Sequence, residues 1–146
     1  MSDRPHTRLD SGLVLDPEGR WFHDGAPVEH PKIVEVFNRG IERAPDGRYL
    51  LRVADDWCWV EVQGTPLQVL SVRVDGEVTA TYSNGRVEPL RPETLRLRDG
   101  VLVCCAASGM EARFGRAAQA ALAGLLEEED GRFVLVVAGR RWPIPE

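Results

Sequence analysis

The sequence predicts an α+β fold: two repeated hairpin–helix–strand units joined by an antiparallel β-meander. Three observations carry this. The stretch "DGRYLLRVADDW" from Asp46 returns as "DGRFVLVVAGRRW" from Asp130, 84 positions later. Two segments carry apolar residues at helical spacing. Between them, short alternating runs are separated by Asp-Gly and Asn-Gly pairs, the strongest short hairpin signals.

The elements follow in order. Residues 1–10 are polar and read as a flexible tail. "LVLDPEGRWFHDGAPV" holds two short apolar runs joined by Asp16-Pro17-Glu18-Gly19, which is turn chemistry and predicts a hairpin. "EHPKIVEVFNRGIERA" places Ile33, Val36, Phe37, Gly40 and Ile41 on one helical stripe, with Pro31 suited to the first turn. Asp46-Gly47 is expected to end that helix. Tyr49, Leu51 and Val53 then alternate as a half-buried strand. "WCWVEVQ" sets Cys58, Val60 and Val62 on one face and Trp57, Trp59 and Glu61 on the other.

The middle third reads as a meander. "LQVLSVRV" turns at Asp75-Gly76 into "EVTATYS", and Asn84-Gly85 leads to "RVEPL". Type I′ turns, with positive φ at both central residues, are expected there. "LRLRDGVLVCCAASG" is a hairpin through Asp99-Gly100. "EARFGRAAQAALAGLLEEE" is a helix with stripe Ala118, Ala121, Leu122 and Leu125. A last strand pair ends in two prolines, which suit an edge.

Shifted by 84 positions, Asp46–Ala54 and Asp130–Ala138 share six of nine residues. Gly40 falls on Gly124 within both helices and Gly25 on Gly109 after both hairpins, and one inserted residue brings Trp57 onto Trp142. Glycine inside a helix costs about 1 kcal/mol relative to Ala, so each helix is expected to lie close against a strand. The organisation read from this is a first α+β repeat over 11–64, a linking meander over 65–92 and a second repeat over 93–146. The sheets are expected to be antiparallel and strongly curved.

"GRWFHDGAPVEHPKIVEVFNRGIERAPDGRYLL" resembles the start of the bacterial domain-of-unknown-function family 1285 (DUF1285), with its Trp-Phe-x-x-Gly-x-Pro-[IV] stretch, helix and Asp-Gly strand. "VEVQGTPLQVLSVRVDG" and "VEPL" are similar to its middle portion, and "SGMEARFGRAAQAALAGLLEEEDGRF" to its C-terminal helix. Where relatives carry Thr-Pro-x-Glu, this chain has Ala54, Asp55, Asp56 and Trp57, and its middle is shorter. The resemblance implies an α+β fold with repeated motifs and a role in signal transduction. It brings no catalytic residues.

The 146 residues suit one domain, or two small ones sharing a core. A net charge of −5 argues against nucleic acid as partner, because phosphate contacts need a basic footprint. Lys32 is the sole lysine. No run approaches the ~18 apolar residues of a membrane helix, and no apolar leader opens the chain. Three cysteines in strand-like runs fit a reducing cytoplasm.

Chemistry is sparse. His23 and His30 lack the tight spacing of metal ligands, and Cys104-Cys105 point to opposite faces of a strand. No phosphate loop is present. "LLEEEDGR" is too short for a calcium loop and reads as a solvated helix end. No catalytic residue, metal or cofactor is expected. The candidate binding residues are Trp57 and Trp59 with Arg140, Arg141 and Trp142, read as an aromatic platform flanked by arginines. Two alternatives remain open: outward-facing indoles at an interface, or indoles covered on both sides as core.

The expected function is a cytoplasmic, non-enzymatic binding or regulatory module that docks a protein partner or itself. A small-molecule sensor or enzyme with a pocket between the repeats is one alternative, and a structural oligomer subunit is another.

Overall fold

The computed structural model describes residues 11–146. The expectation of a tail over residues 1–10 lies outside them. The chain divides into two compact units, one running to Pro66 and the other Leu67–Glu146. The meander therefore belongs with the second unit.

The first unit contains β1 (Leu13–Leu15), β2 (Trp21–His23), β3 (Ala26–Pro27), helix α1 (Pro31–Gly40), β4 (Ile41–Arg43), β5 (Tyr49–Val53) and β6 (Asp56–Val62). They form one sheet in the order β3-β2-β1-β6-β5-β4. All neighbours are antiparallel except β1 and β6, which run parallel. Leu15, Trp21, Ile41 and Leu51 are almost fully buried.

Two local devices shape this unit. Asp16, itself buried, accepts the backbone N–H groups of Glu18 and Arg20 at 3.0 and 2.7 Å and the Arg20 Nε–H at 2.9 Å. The β1–β2 turn is thus closed by one side chain. At the end of α1, a β-carbon on Gly40 would run into the Arg52 carbonyl oxygen, so only glycine lets the helix come this close to β5. The helix stops there. Ile41, placed on its stripe by spacing, is instead the first residue of β4, and Asp46-Gly47 turns β4 into β5.

In the second unit, β7 (Leu67–Asp75), β8 (Glu77–Tyr82), β9 (Val87–Pro89), β10 (Arg96–Arg98), β11 (Val101–Cys105) and β12 (Glu111–Phe114) form a sheet ordered β10-β11-β12-β7-β8-β9. Again one pair, β12 and β7, is parallel. Both six-stranded sheets are therefore open and mixed, where purely antiparallel pairing was expected. Helix α2 (Arg116–Ala123) follows β12, and β13 (Leu126–Glu129), β14 (Arg132–Val137) and β15 (Arg140–Ile144) make a separate antiparallel sheet. Ala118 and Leu122 of α2 are fully buried, as are Leu67, Val69, Cys104 and Ala112.

The helix expected over "EARFGRAAQAALAGLLEEE" is shorter than its pattern. "EARF" pairs with β11 and β7, and "LEEE" pairs with β14. Residues good at forming helices are held in strands there by ladder partners, so tertiary pairing overrides propensity. Gly124 differs from Gly40: nothing stands closer than 3.9 Å to a β-carbon built on it.

The Asn84-Gly85 loop also differs from expectation. Only Gly85 has positive φ (87°), and Gly85 N–H donates to Tyr82 O at 2.9 Å, giving a type I turn with a bulge; at Asp75-Gly76 likewise only the glycine has positive φ (74°), so neither is the type I′ turn expected. True two-residue turns with both φ positive occur at Asp99-Gly100 and Asp130-Gly131.

Candidate binding surface

Antiparallel pairing of β5 with β6 sets Cys58 opposite Leu51 and Trp57 opposite Arg52. Leu51 is buried, so Cys58 shares the core-facing side while Trp57 and Trp59 take the other. Both indoles are half-buried, meeting edge to face at 5.1 Å. The Arg48 guanidinium lies 3.7 Å over the Trp59 ring and is held by the Asp46 carboxylate at 2.8 Å. Trp59 therefore already has a cation on it.

Trp142 is not the counterpart of Trp57. The β14–β15 ladder pairs Leu135 with Trp142 and Val136 with Arg141, so Trp142 stands where Cys58 stands and Arg141 where Trp57 stands. No residue is inserted; both loops hold two residues. Arg140 lies 4.6 Å over Trp142, while Arg141 pairs with Glu127 and Glu129 of β13. Of the five sequence-predicted residues, Trp57 and Trp59 belong to the first unit and the other three to the second. Glu127 and Glu129, read as a helix end, are strand residues that bind an arginine.

A cleft beside Trp57 has no signature in the sequence. An apolar cavity of about 180 Å³ is lined by Leu13, Phe37, Leu51, Val53, Trp57 and Cys58, with Asp56 at its rim. Phe37 reaches it from α1 and is braced edge-on by Trp21 at 5.3 Å. Trp21 in turn donates its Nε1–H to Asn38 Oδ1 at 2.8 Å. This pair fixes the helix beside the sheet, yet α1 buries none of its own residues. Ile33 and Val36, on the stripe of Phe37, are each 44% exposed, and Val53 at the cleft is 40% exposed. The sequence showed the stripe, but periodicity does not say whether a stripe is covered.

His30 Nδ1 accepts the Lys32 N–H at 3.2 Å and caps α1. His23 is exposed, 3.6 Å from Asp24. Cys104 Sγ lies 3.6 Å from the Tyr82 hydroxyl in the core, and burial pushes its thiol up to about 11. Burial likewise raises Cys58. Among the described residues no three His, Cys, Asp or Glu side chains converge as a metal ion would require. Two wider clefts of about 500 and 450 Å³ flank the β10–β11 turn and the chain's end, and are lined largely by turn residues and charged side chains.

Among the described residues, the open mixed sheets, two short α-helices and meandering strands give a DUF1285-like fold. A DUF1285 family protein from Silicibacter pomeroyi DSS-3 matches at TM-score 0.73 and 24% identity, over 91% of this chain and 79% of that one. A DUF1285 family protein from Shewanella baltica OS155 matches at TM-score 0.62 and 17% identity, over 77% and 91%. At these identities the likeness is one of fold. No family model and no curated protein matches the chain. No helix among the described residues is long and apolar enough to cross a membrane.

Proposed function

We propose that this chain is a non-enzymatic binding module, a divergent DUF1285 protein that docks a protein through the first unit. The observation that carries this is the accessible apolar cleft beside Trp57, continued by the exposed side chains of Ile33 and Val36. Uncovered apolar surface next to a cavity is costly in water and marks surfaces that are covered on binding. The corresponding helix of the second unit buries Ala118 and Leu122, so an uncovered helix is not a requirement of the fold. A module of this kind fits the signal-transducing role that the sequence resemblance implies. Free cysteines at Cys58, Cys104 and Cys105 support a reducing, cytoplasmic setting.

We also read α1-β4-β5-β6 and α2-β13-β14-β15 as two copies of one unit. The shift of 84 places the Ala54 and Ala138 turns, with φ of 55° and 53°, on each other.

Benzene, a small apolar molecule, is a suitable probe of the open apolar cleft. Amide NMR spectra of dilute protein should shift at Leu13, Val53 and Cys58 as benzene is added. Shifts elsewhere only, or none, would contradict the proposal.

A further inference from the structure

Resting on that reading, we infer that the occupant of the cleft is a second copy of this chain, with Ile33 inserted beside Phe37 of its neighbour and Lys32 set against Asp55. The cleft's volume of about 180 Å³ takes one branched side chain. Ile33 is the exposed branched residue one helical turn before Phe37, on the same stripe. Two copies meeting with their α1 helices antiparallel bring each Ile33 toward the other's Phe37. One contact is thus made twice, as a twofold interface requires.

Charge supports the same register. Lys32, next to Ile33, has no ion-pair partner among the described residues, whereas Glu35 and Arg39 of the same helix are already paired at 3.3 Å. At the other end of the contact, Asp55 lies in the β5–β6 turn, and Asp56, the first residue of β6, pairs with Val53 at the rim of the cleft. Asp55 is exposed and lacks an ion-pair partner among the described residues. A basic-then-branched pair on one copy meets an apolar cleft with an acidic rim on the other. Rim charges of this kind act chiefly on recognition and register, and the inserted side chain on affinity.

The test is sedimentation velocity over a rising concentration series for wild type, Ile33→Asp, Lys32→Glu and Lys32→Glu/Asp55→Lys. All three positions are exposed, and circular dichroism confirms the fold of each. The wild type should dimerise, and Ile33→Asp should weaken dimerisation at least about ten-fold. Lys32→Glu should weaken it less, and the double exchange should restore it. A wild type that stays monomeric, or an Ile33→Asp variant that dimerises equally well, overturns the inference. If the wild type is monomeric while benzene still shifts the cleft amides, the second copy is wrong and the binding cleft stands. If benzene shifts nothing either, both fall.

Discussion

The carbonyl oxygen of Arg52 occupies the space into which a β-carbon at Gly40 would project. Its counterpart by sequence, Gly124, has no such neighbour and holds ordinary helical angles, φ −64° and ψ −17°. Two glycines at equivalent positions are therefore present for different reasons. Gly40→Ala should destabilise the protein by about 1–3 kcal/mol, because backbone must move to admit the methyl group. Gly124→Ala should stabilise it by about 0.5–1 kcal/mol, mainly by reducing the freedom of the unfolded chain. Urea denaturation of the two variants checks both signs.

Ala138 sits at φ 53° before Gly139 at φ 75°, a left-handed pair closing the β14–β15 hairpin. An L-residue with a β-carbon is strained there by about 1–2 kcal/mol, and Asn tolerates it better. Ala138→Asn should raise stability by up to about 1 kcal/mol, measured as an upward shift in Tm.

Asp16 gives a pH dependence of known sign. Burial pushes its carboxyl up, but hydrogen bonds from the Arg20 backbone and side chain, the Arg20 charge and the Glu18 N–H outweigh that and hold it below its ordinary value. A depressed folded pKa stabilises the protein above the unfolded pKa, and the gain disappears as pH falls through the folded value. Asp16→Ala should cost about 1–3 kcal/mol at neutral pH through its unsatisfied donors. The gap to wild type should narrow only in strong acid, below the usual carboxylate range near 4.

Cys104 should resist thiol reagents. With its thiol raised to about 11 by burial, about one molecule in a thousand carries the thiolate at pH 8. Labelling by iodoacetamide, mapped by mass spectrometry, should reach Cys104 only on unfolding. The half-buried Cys58 should react sooner.

The β-turn chemistry and strand alternation of this chain were readable because they are local. Asp99-Gly100 and Asp130-Gly131 form the turns their residues demand, and Tyr49–Val53 is a strand as its alternation requires. What is set by distant partners was not readable. The parallel pairs β1·β6 and β12·β7 join segments far apart in sequence, and alternation carries no sign of strand direction. "LEEE" has the composition of a helix and becomes a strand because Leu135 and Val134 pair with it.

The site divides the same way. Trp57 and Trp59 were visible as an unusual pair in the sequence. Trp142 belongs to the other unit, and the residues that line the cleft with Trp57 include Phe37, Leu13 and Val53, drawn from three other elements, while Trp59 is not among them. Composition also hid that Trp59 is capped by Arg48 and that Arg141 is bound to β13.

An accessible apolar cleft lies between Phe37 and Leu51, and xenon probes it most directly. A crystal pressurised with xenon should show an anomalous peak in that cleft, in contact with Phe37, Val53 and Cys58, because its lining is predominantly apolar. A cleft without a peak, with xenon bound only elsewhere in the molecule, would contradict the claim that this surface is built to receive an apolar group.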